Sequence, residues 1–276
     1  MKEKIIGFLT CISLVLLIPY IITILVNGVD TVLLNRPMDL EDCLPGIVSA
    51  QITSDYELET VKCQAVIART NLFRKVNNED SFSGVLEVLQ QYVEAENIDF
   101  FQIFSDNIYE KAVEQTEGRV LLYQDELKLV PYHEISSGQT RDGEEAFHEE
   151  EYSYLVSVDS SQDKKSLNYL NSTYFSQQQM PKKLEIEIRD SAGYVESLLA
   201  DGSVLEGEAF RQGMGLASAD FTIQKVGEEY RFLCKGRGHG LGFSQYGGNE
   251  LAKEGSSCEE ILLTYFPLMK VGYLDE

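Results

Sequence analysis

The sequence predicts an α+β domain with helices early and β-hairpins later, preceded by one transmembrane helix. Three observations carry that prediction. Ile5 to Val26 runs 22 residues without a charged side chain. Glu57 to Lys75 repeats Val61, Ala65, Ala68 and Leu72 at helical spacing. From Val120 on, short alternating runs are punctuated by Gly-containing turns, the pattern of half-buried strands.

At a rise of about 1.5 Å per residue, the first run is long enough for a bilayer core of about 30 Å. It exceeds the usual core of a signal peptide and no A-x-A-like site closes it, which favours an uncleaved anchor. Lys2 and Lys4 precede it, and Arg36 is the one cation in the thirty residues after it. That asymmetry expects residues 1–4 in the cytoplasm, the span at 5–26, a linker at 27–38 and an extracytoplasmic domain at 39–276.

Within the domain, a helix is expected from Leu40, with Ile47, Val48 and Ala50 apolar, broken by TSDYE after Ile52. The second helix, Glu57 to Lys75, places Lys62 and Arg69 on a face beside its apolar stripe. NNEDSFSG marks a boundary, and Val85 to Phe104 reads as a further helix or an irregular insert. VLLYQDELKLVPYHEI suggests a hairpin turning near Gln124–Glu126. Ser136 to Glu151 has few apolar anchors and many turn formers, so an exposed loop is expected. KLEIEIRDSAGYVESLLADGSVLEGEAF suggests further strands, and Ser257 with Glu260 forms a capping box for a final helix.

With 45 acids against 23 bases the net charge is −22. That balance argues against nucleic acid, whose affinity comes from cations neutralising phosphates. Cys43, Cys63, Cys234 and Cys258 remain outside the apolar run; four cysteines permit three disulfide pairings, or four buried thiols. No C-x-x-C pair supports a zinc knuckle.

Two stretches could carry chemistry. GRGHGLGFSQYGG, Gly236 to Gly248, has six glycines in 13 residues, which lets the backbone bend and approach other groups. His239 sits in its middle with little bulk to cover it. Leu241 takes the third-glycine position of a dinucleotide fingerprint, so no nucleotide is implied, and no cofactor is expected. The second stretch is YHEISSGQT, Tyr132 to Thr140. Without a G-x-S-x-G elbow it does not support a serine hydrolase. A metal site from His133 and His148 with Glu144, Glu145 and Glu149 is weighed against a solvated acidic surface. The surface is the simpler reading, and no metal is expected.

Four separated segments, in order, resemble the sporulation stage II protein D / amidase-enhancer (SpoIID/LytB) family. DLEDCLPGIVSAQITSDYELETVKCQAVIART is similar to the family's PLEEYV-G-VV-A-EM … E-LKAQA-AART block. EKAVEQTEGRVLLYQDELKLVPYHEISSGQT follows AV-T-G-VL-Y-G … A-FHS-SGG-T. FRQGMGLASADFTI follows LR--LGL-S--F-I, and GRGHGLGFSQYGGNELAKEGSSCEEILLTYFP follows GRG-GHGVGMSQ-GA--MA--G … IL--YYP. Together they cover most of residues 39–271.

The resemblance implies a lytic transglycosylase acting on peptidoglycan glycan strands, in which one carboxyl protonates the leaving oxygen and then takes the C6-hydroxyl proton. The family places that Glu at the end of the first helix. In this chain the position is Gln51, and Ile52 replaces the following Met. An amide neither gives nor takes a proton near pH 7, though it hydrogen-bonds. The resemblance therefore implies a glycan-binding member with impaired cleavage, which supports a partner wall hydrolase (amidase or endopeptidase) in a membrane complex. The alternative is an active enzyme using Glu59 or Asp55. Implied substrate-binding residues are Lys62, Gln64, Arg69, His133, Ser136, Ser137, Gly138, Arg237, His239, Ser244, Gln245 and Tyr246. The chain departs further in lacking the family's Trp between GRG and GHG, and in placing Cys63 at the Ala of KAQA.

Overall fold

Helix α2, Leu58–Val76, is the axis on which the rest is hung. The computed structural model describes residues 40–77 and 107–274. The expected span at 5–26 and the Val85–Phe104 segment lie outside the described residues. Leu40–Cys43 forms a single 3₁₀ turn, and Leu44–Glu276 is the compact unit that holds everything below.

Helix α1, Leu44–Gln51, ends where the sequence expects it, before a turn through Ile52 to Glu57. The predicted stripe Val61, Ala65, Ala68 and Leu72 is buried, but so are Cys63, Gln64, Val66, Ile67, Arg69 and Thr70. A helix surrounded by neighbours buries more than one stripe. Its polar side chains then serve as pins. Thr70 accepts from Leu121 N at 2.9 Å. Asn71 exchanges two hydrogen bonds with the backbone of Val130, at 2.7 and 2.9 Å. Glu57 supplies no side-chain cap at the N-terminus, and its N–H instead donates to Asn249 Oδ1 at 2.8 Å.

Helix α3, Asn107–Glu114, leads into strands β1, Arg119–Tyr123, and β2, Glu126–Leu127. Gln124 and Asp125 between them both have positive φ, 53° and 66°. That is the two-residue hairpin turn whose twist matches its strands. β3, Tyr132–His133, and the short helix α4, Gly143–Phe147, follow. Next come β4, Leu170–Ser176, β5, Leu184–Arg189, β6, Val195–Ala200, and β7, Ser203–Glu206. Helix α5, Gly207–Gly213, precedes β8, Phe221–Val226, and β9, Glu229–Lys235. β10, Phe243–Ser244, runs into α6, Gln245–Lys253. Helix α7, Cys258–Tyr265, carries the expected Ser257/Glu260 capping box, and β11, Lys270–Tyr273, closes the described chain.

The strands form four small sheets: β11-β1-β2, the parallel pair β10-β3, β4-β9-β8 and β5-β6-β7. Two apolar cores result. One packs Val66, Ile67, Leu121, Phe243, Ile261 and Phe266 around α2 and α7. The other packs Val195, Leu198, Phe221 and Phe232 between the two later antiparallel sheets. The architecture is α+β, with helices early and strands late.

Two expectations need correction or decision. Ser136–Glu151 is not an exposed loop throughout: Ser136, Gly138, Thr140, Arg141 and Gly143 are buried, while Gln139, Glu144 and the end from Phe147 are open. Isolated bridges Ile135↔Arg237, Gln139↔Asp159 and Arg141↔Leu241 stitch it into the centre, which satisfies a polar backbone without a regular strand. The glycine run makes that possible. Gly238, at φ 107°, passes so close that an added Cβ would sit 2.8 Å from His133 Cβ. Gly242, at φ 67°, would place one 2.2 Å from the Pro131 carbonyl. As for the cysteines, no two of Cys43, Cys63, Cys234 and Cys258 are joined to each other by a disulfide.

Candidate functional site

Gln51 closes α1 and lines a cavity of about 810 Å³ together with Asn71, Tyr132, Arg141, His239 and Leu241. Its side chain is fixed from behind. Gln64 Nε2 donates to Gln51 Oε1 at 2.8 Å. Gln245 Nε2 donates to the Gln51 backbone carbonyl at 2.7 Å and lies 3.1 Å from Gln64 Oε1. Gln64 and Gln245 are both buried. Three amides from α1, α2 and α6 thus form one row, Gln245 donating to Gln64 and Gln64 to Gln51.

Ser244, one residue before Gln245, belongs to a different knot. Its hydroxyl donates to Asp163, at 2.8 Å to Oδ2. Asp163 also accepts from Ser136 N at 2.7 Å and from Ser160 Oγ at 3.1 Å. Burial pushes the Asp163 carboxyl above the usual carboxylate range, and the donors from Ser136, Ser244 and Ser160 oppose that shift without cancelling it. Nothing in the polar run SSQDKK singles this aspartate out, so sequence reasoning missed it.

The two histidines are locked as opposite tautomers by the backbone of one residue, Leu241. His239 Nδ1 accepts from Leu241 N at 3.1 Å, which leaves its proton on Nε2. His133 Nδ1 lies 3.0 Å from Leu241 O; a carbonyl only accepts, so Nδ1 carries that proton. The buried His133 Nε2 has no hydrogen-bond partner among the described residues. The rings meet edge to face, 5.9 Å apart. Burial, then the neighbouring His239, pushes the His133 pKa down to about 3. Burial likewise takes His239 down to about 4, so both are neutral near pH 7.

Of the sequence-predicted residues, only Gln51 and His239 line this cavity; Gln64 and Gln245 back it. Ser136 and Ser244 join Asp163. Ser137 N donates to Tyr194 OH at 3.0 Å, and a Cβ on Gly138 would meet Lys164 at 2.2 Å. Arg237 lies 3.2 Å from the Glu134 carboxylate, a charge contact rather than a hydrogen bond, since its Nε has no aligned acceptor. The Tyr246 N–H donates to Glu134 O at 3.0 Å.

Arg69 is not brought to the cavity. Fully buried, it donates to Thr116 Oγ1, Arg119 O and Val113 O at 3.2–3.3 Å, holding α3 and β1 against α2. Lys62 is paired with Glu59 at 2.7 Å. Glu59 in turn accepts the Cys258 N–H at 2.8 Å and so caps α7. Burial works to raise its pKa, but the Lys62 and Cys258 hydrogen bonds prevail and hold it below the ordinary carboxylate range. Asp55 is exposed on the turn after α1. His148 lies 3.4 Å from Glu196, and among the described residues no group of three or more His, Cys, Asp or Glu could hold a metal.

Fold and site together describe a mixed helix-and-sheet protein whose cleft is walled by a glycine-rich loop and floored by an amide row. The SpoIID family model, described as Stage II sporulation protein, matches residues 30–123. Stage II sporulation protein D of Bacillus amyloliquefaciens is 28% identical over 258 residues, covering 86% of this chain and 75% of that protein. Its counterpart in Bacillus subtilis (strain 168) is 27% identical over 263 residues, with the same coverage of 86% and 75%. The amidase enhancer of Bacillus subtilis (strain 168) is 24% identical over 292 residues, covering 81% of this chain and 39% of that protein. The chain is thus similar to the SpoIID family, over residues 30–123 by the family model and over most of its length by these relatives.

Proposed function

We propose that the protein binds peptidoglycan glycan strands in the Gln51 cavity and supports a partner wall hydrolase in sporulation-type wall remodelling, with little or no cleavage of its own. Ile5–Val26 would anchor it in the membrane with the domain outside. One observation carries the reading: an amide, held in a row of amides, stands in the cavity where lytic transglycosylase chemistry asks for a carboxyl.

Among the described residues, no other acid is placed to replace it. Asp55 points from an exposed turn, and Glu59 is engaged by Lys62 and the α7 N-terminus. The carboxylates on the far wall of the cavity have their own partners: Glu206 caps α5, Glu208 pairs with Arg211 at 2.7 Å, and Glu196 faces His148.

The test incubates the full-length chain in detergent with glycan strands stripped of peptide, beside a Gln51→Glu variant. The native protein retains strands without releasing 1,6-anhydro ends. The variant releases them, with a gain of about 10²–10⁴-fold, the usual worth of proton transfer. Anhydro ends from the native protein would sink the silent-site reading. Failure of both proteins to bind or cut would sink the glycan reading.

A further inference from the structure

The Gln51 cavity does not end at Leu129. A second cavity, of about 760 Å³, continues beyond it between Phe73, Tyr152, Tyr154 and Tyr273. Arg74 and Leu129 line both, so the two make one groove with Arg74 at its neck. A groove of that extent suits an extended polymer better than a single sugar.

The cations along it are not equivalent. Lys128 pairs with Glu126 at 2.7 Å, and Arg141 with Asp190 at 2.5 Å. Arg74 makes no ion pair among the described residues, and its Nε is shut off from solvent without a hydrogen-bond partner. The acids around it are already engaged. Asp125 is held by Lys270, Glu126 by Lys128, and Glu151 by the Tyr152 phenol. In a chain of net charge −22, a half-buried guanidinium that no carboxylate of the described residues pairs with stands out. A planar guanidinium matches a carboxylate with two parallel N–H···O bonds, and a desolvated donor without an acceptor is costly until a ligand supplies one.

We propose that Arg74 reads a carboxylate on the bound polymer, so that the groove selects acidic sugar units. The inference rests on the glycan reading above. Within a wall glycan, the group of that chemistry is the lactyl carboxylate of a muramic-type sugar whose peptide is absent. Tyr152 and Tyr273 flank the same stretch and offer ring surface to neighbouring pyranose units.

The experiment compares peptide-free strands bearing free lactyl carboxylates with the same strands after methyl esterification, each titrated against the full-length protein. The native protein binds the acid form at least about tenfold more tightly, the effect of one charge-assisted contact. Arg74→Gln, checked for native circular dichroism, binds both forms equally and at the level of the ester; Arg74→Lys retains part of the preference. A native protein without preference, or a preference that survives in Arg74→Gln, overturns the assignment while leaving glycan binding intact. Binding of neither form overturns the glycan reading and this inference with it.

Discussion

Two hydrogen-bonded knots meet at the dipeptide Ser244–Gln245, and they are built on opposite principles. On the Ser244 side, donors from Ser136, Ser160 and Ser244 converge on one carboxylate, Asp163. On the Gln245 side, Gln51, Gln64 and Gln245 alternate donor and acceptor, and nothing needs to be charged. The first knot holds three chain segments by focusing dipoles on an ion. The second leaves its end residue neutral and facing a cavity. The molecule thus keeps a buried acid where it organises loops and a neutral amide where it faces the cavity.

That contrast can be broken at several points. Asp163→Ala should cost the most, about 3 kcal/mol or more, because buried donors lose their common acceptor. Urea unfolding measures it, and a midpoint near the native value would mean that the serines do not depend on the ion. Acid titration comes next. His133 and His239, pushed down to about 3 and about 4, stay neutral in the fold, whereas unfolded histidines protonate near pH 6.5. The unfolded chain then binds more protons, so stability present at pH 7 is lost as pH falls from about 6.5 toward 4. The slope is up to about 1.4 kcal/mol per pH unit for each histidine. Asp163, with its pKa raised in the fold, runs the other way and gains relative stability as it protonates. His133→Gln should flatten the acid limb; an unchanged slope in that variant rejects the assignment.

Gln245→Leu should lose about 1–2 kcal/mol, since the Gln51 carbonyl and Gln64 Oε1 each lose a donor. A thermal melt reads this, and no shift would show that the row is held by packing alone. The smallest effect is expected at Glu59→Gln, about 1 kcal/mol or less, through weaker capping of α7 and loss of a partly exposed ion pair. Its glycan products should match those of the native protein. A drop in any residual cleavage would assign that cleavage to Glu59.

Much of this was legible in the chain. The break after Ile52, the turn at Gln124–Asp125, the later hairpins and the α7 capping box all follow from local chemistry, and the structure has them. What was not legible is polar burial. Ser136–Gly143 looks like surface because nothing in composition reveals that Val158, Ser160 and Gly240 will bond to it. Arg69 looks like a partner of Lys62 because seven residues separate them on a helix. Only the fold shows that the carbonyl of Val113 and the backbone of Arg119 are waiting for its guanidinium. Gln51 was visible through resemblance, whereas the Gln64–Gln245 row behind it depends on residues 181 positions apart.

That separation sets an order of events during synthesis. β1 is made early but takes β11 as a neighbour, pairing Arg119 with Tyr273. Glu57 finds its capping acceptor in Asn249, and Glu59 its N–H in Cys258. A nascent chain stopped before residue 245 therefore has α1 and α2 but neither the amide row nor the loop wall, and closing contacts so distant in sequence is slow. The cleft is therefore completed late, so a ribosome still holding the stretch from Gln245 on holds a protein in which the amide row has not yet formed.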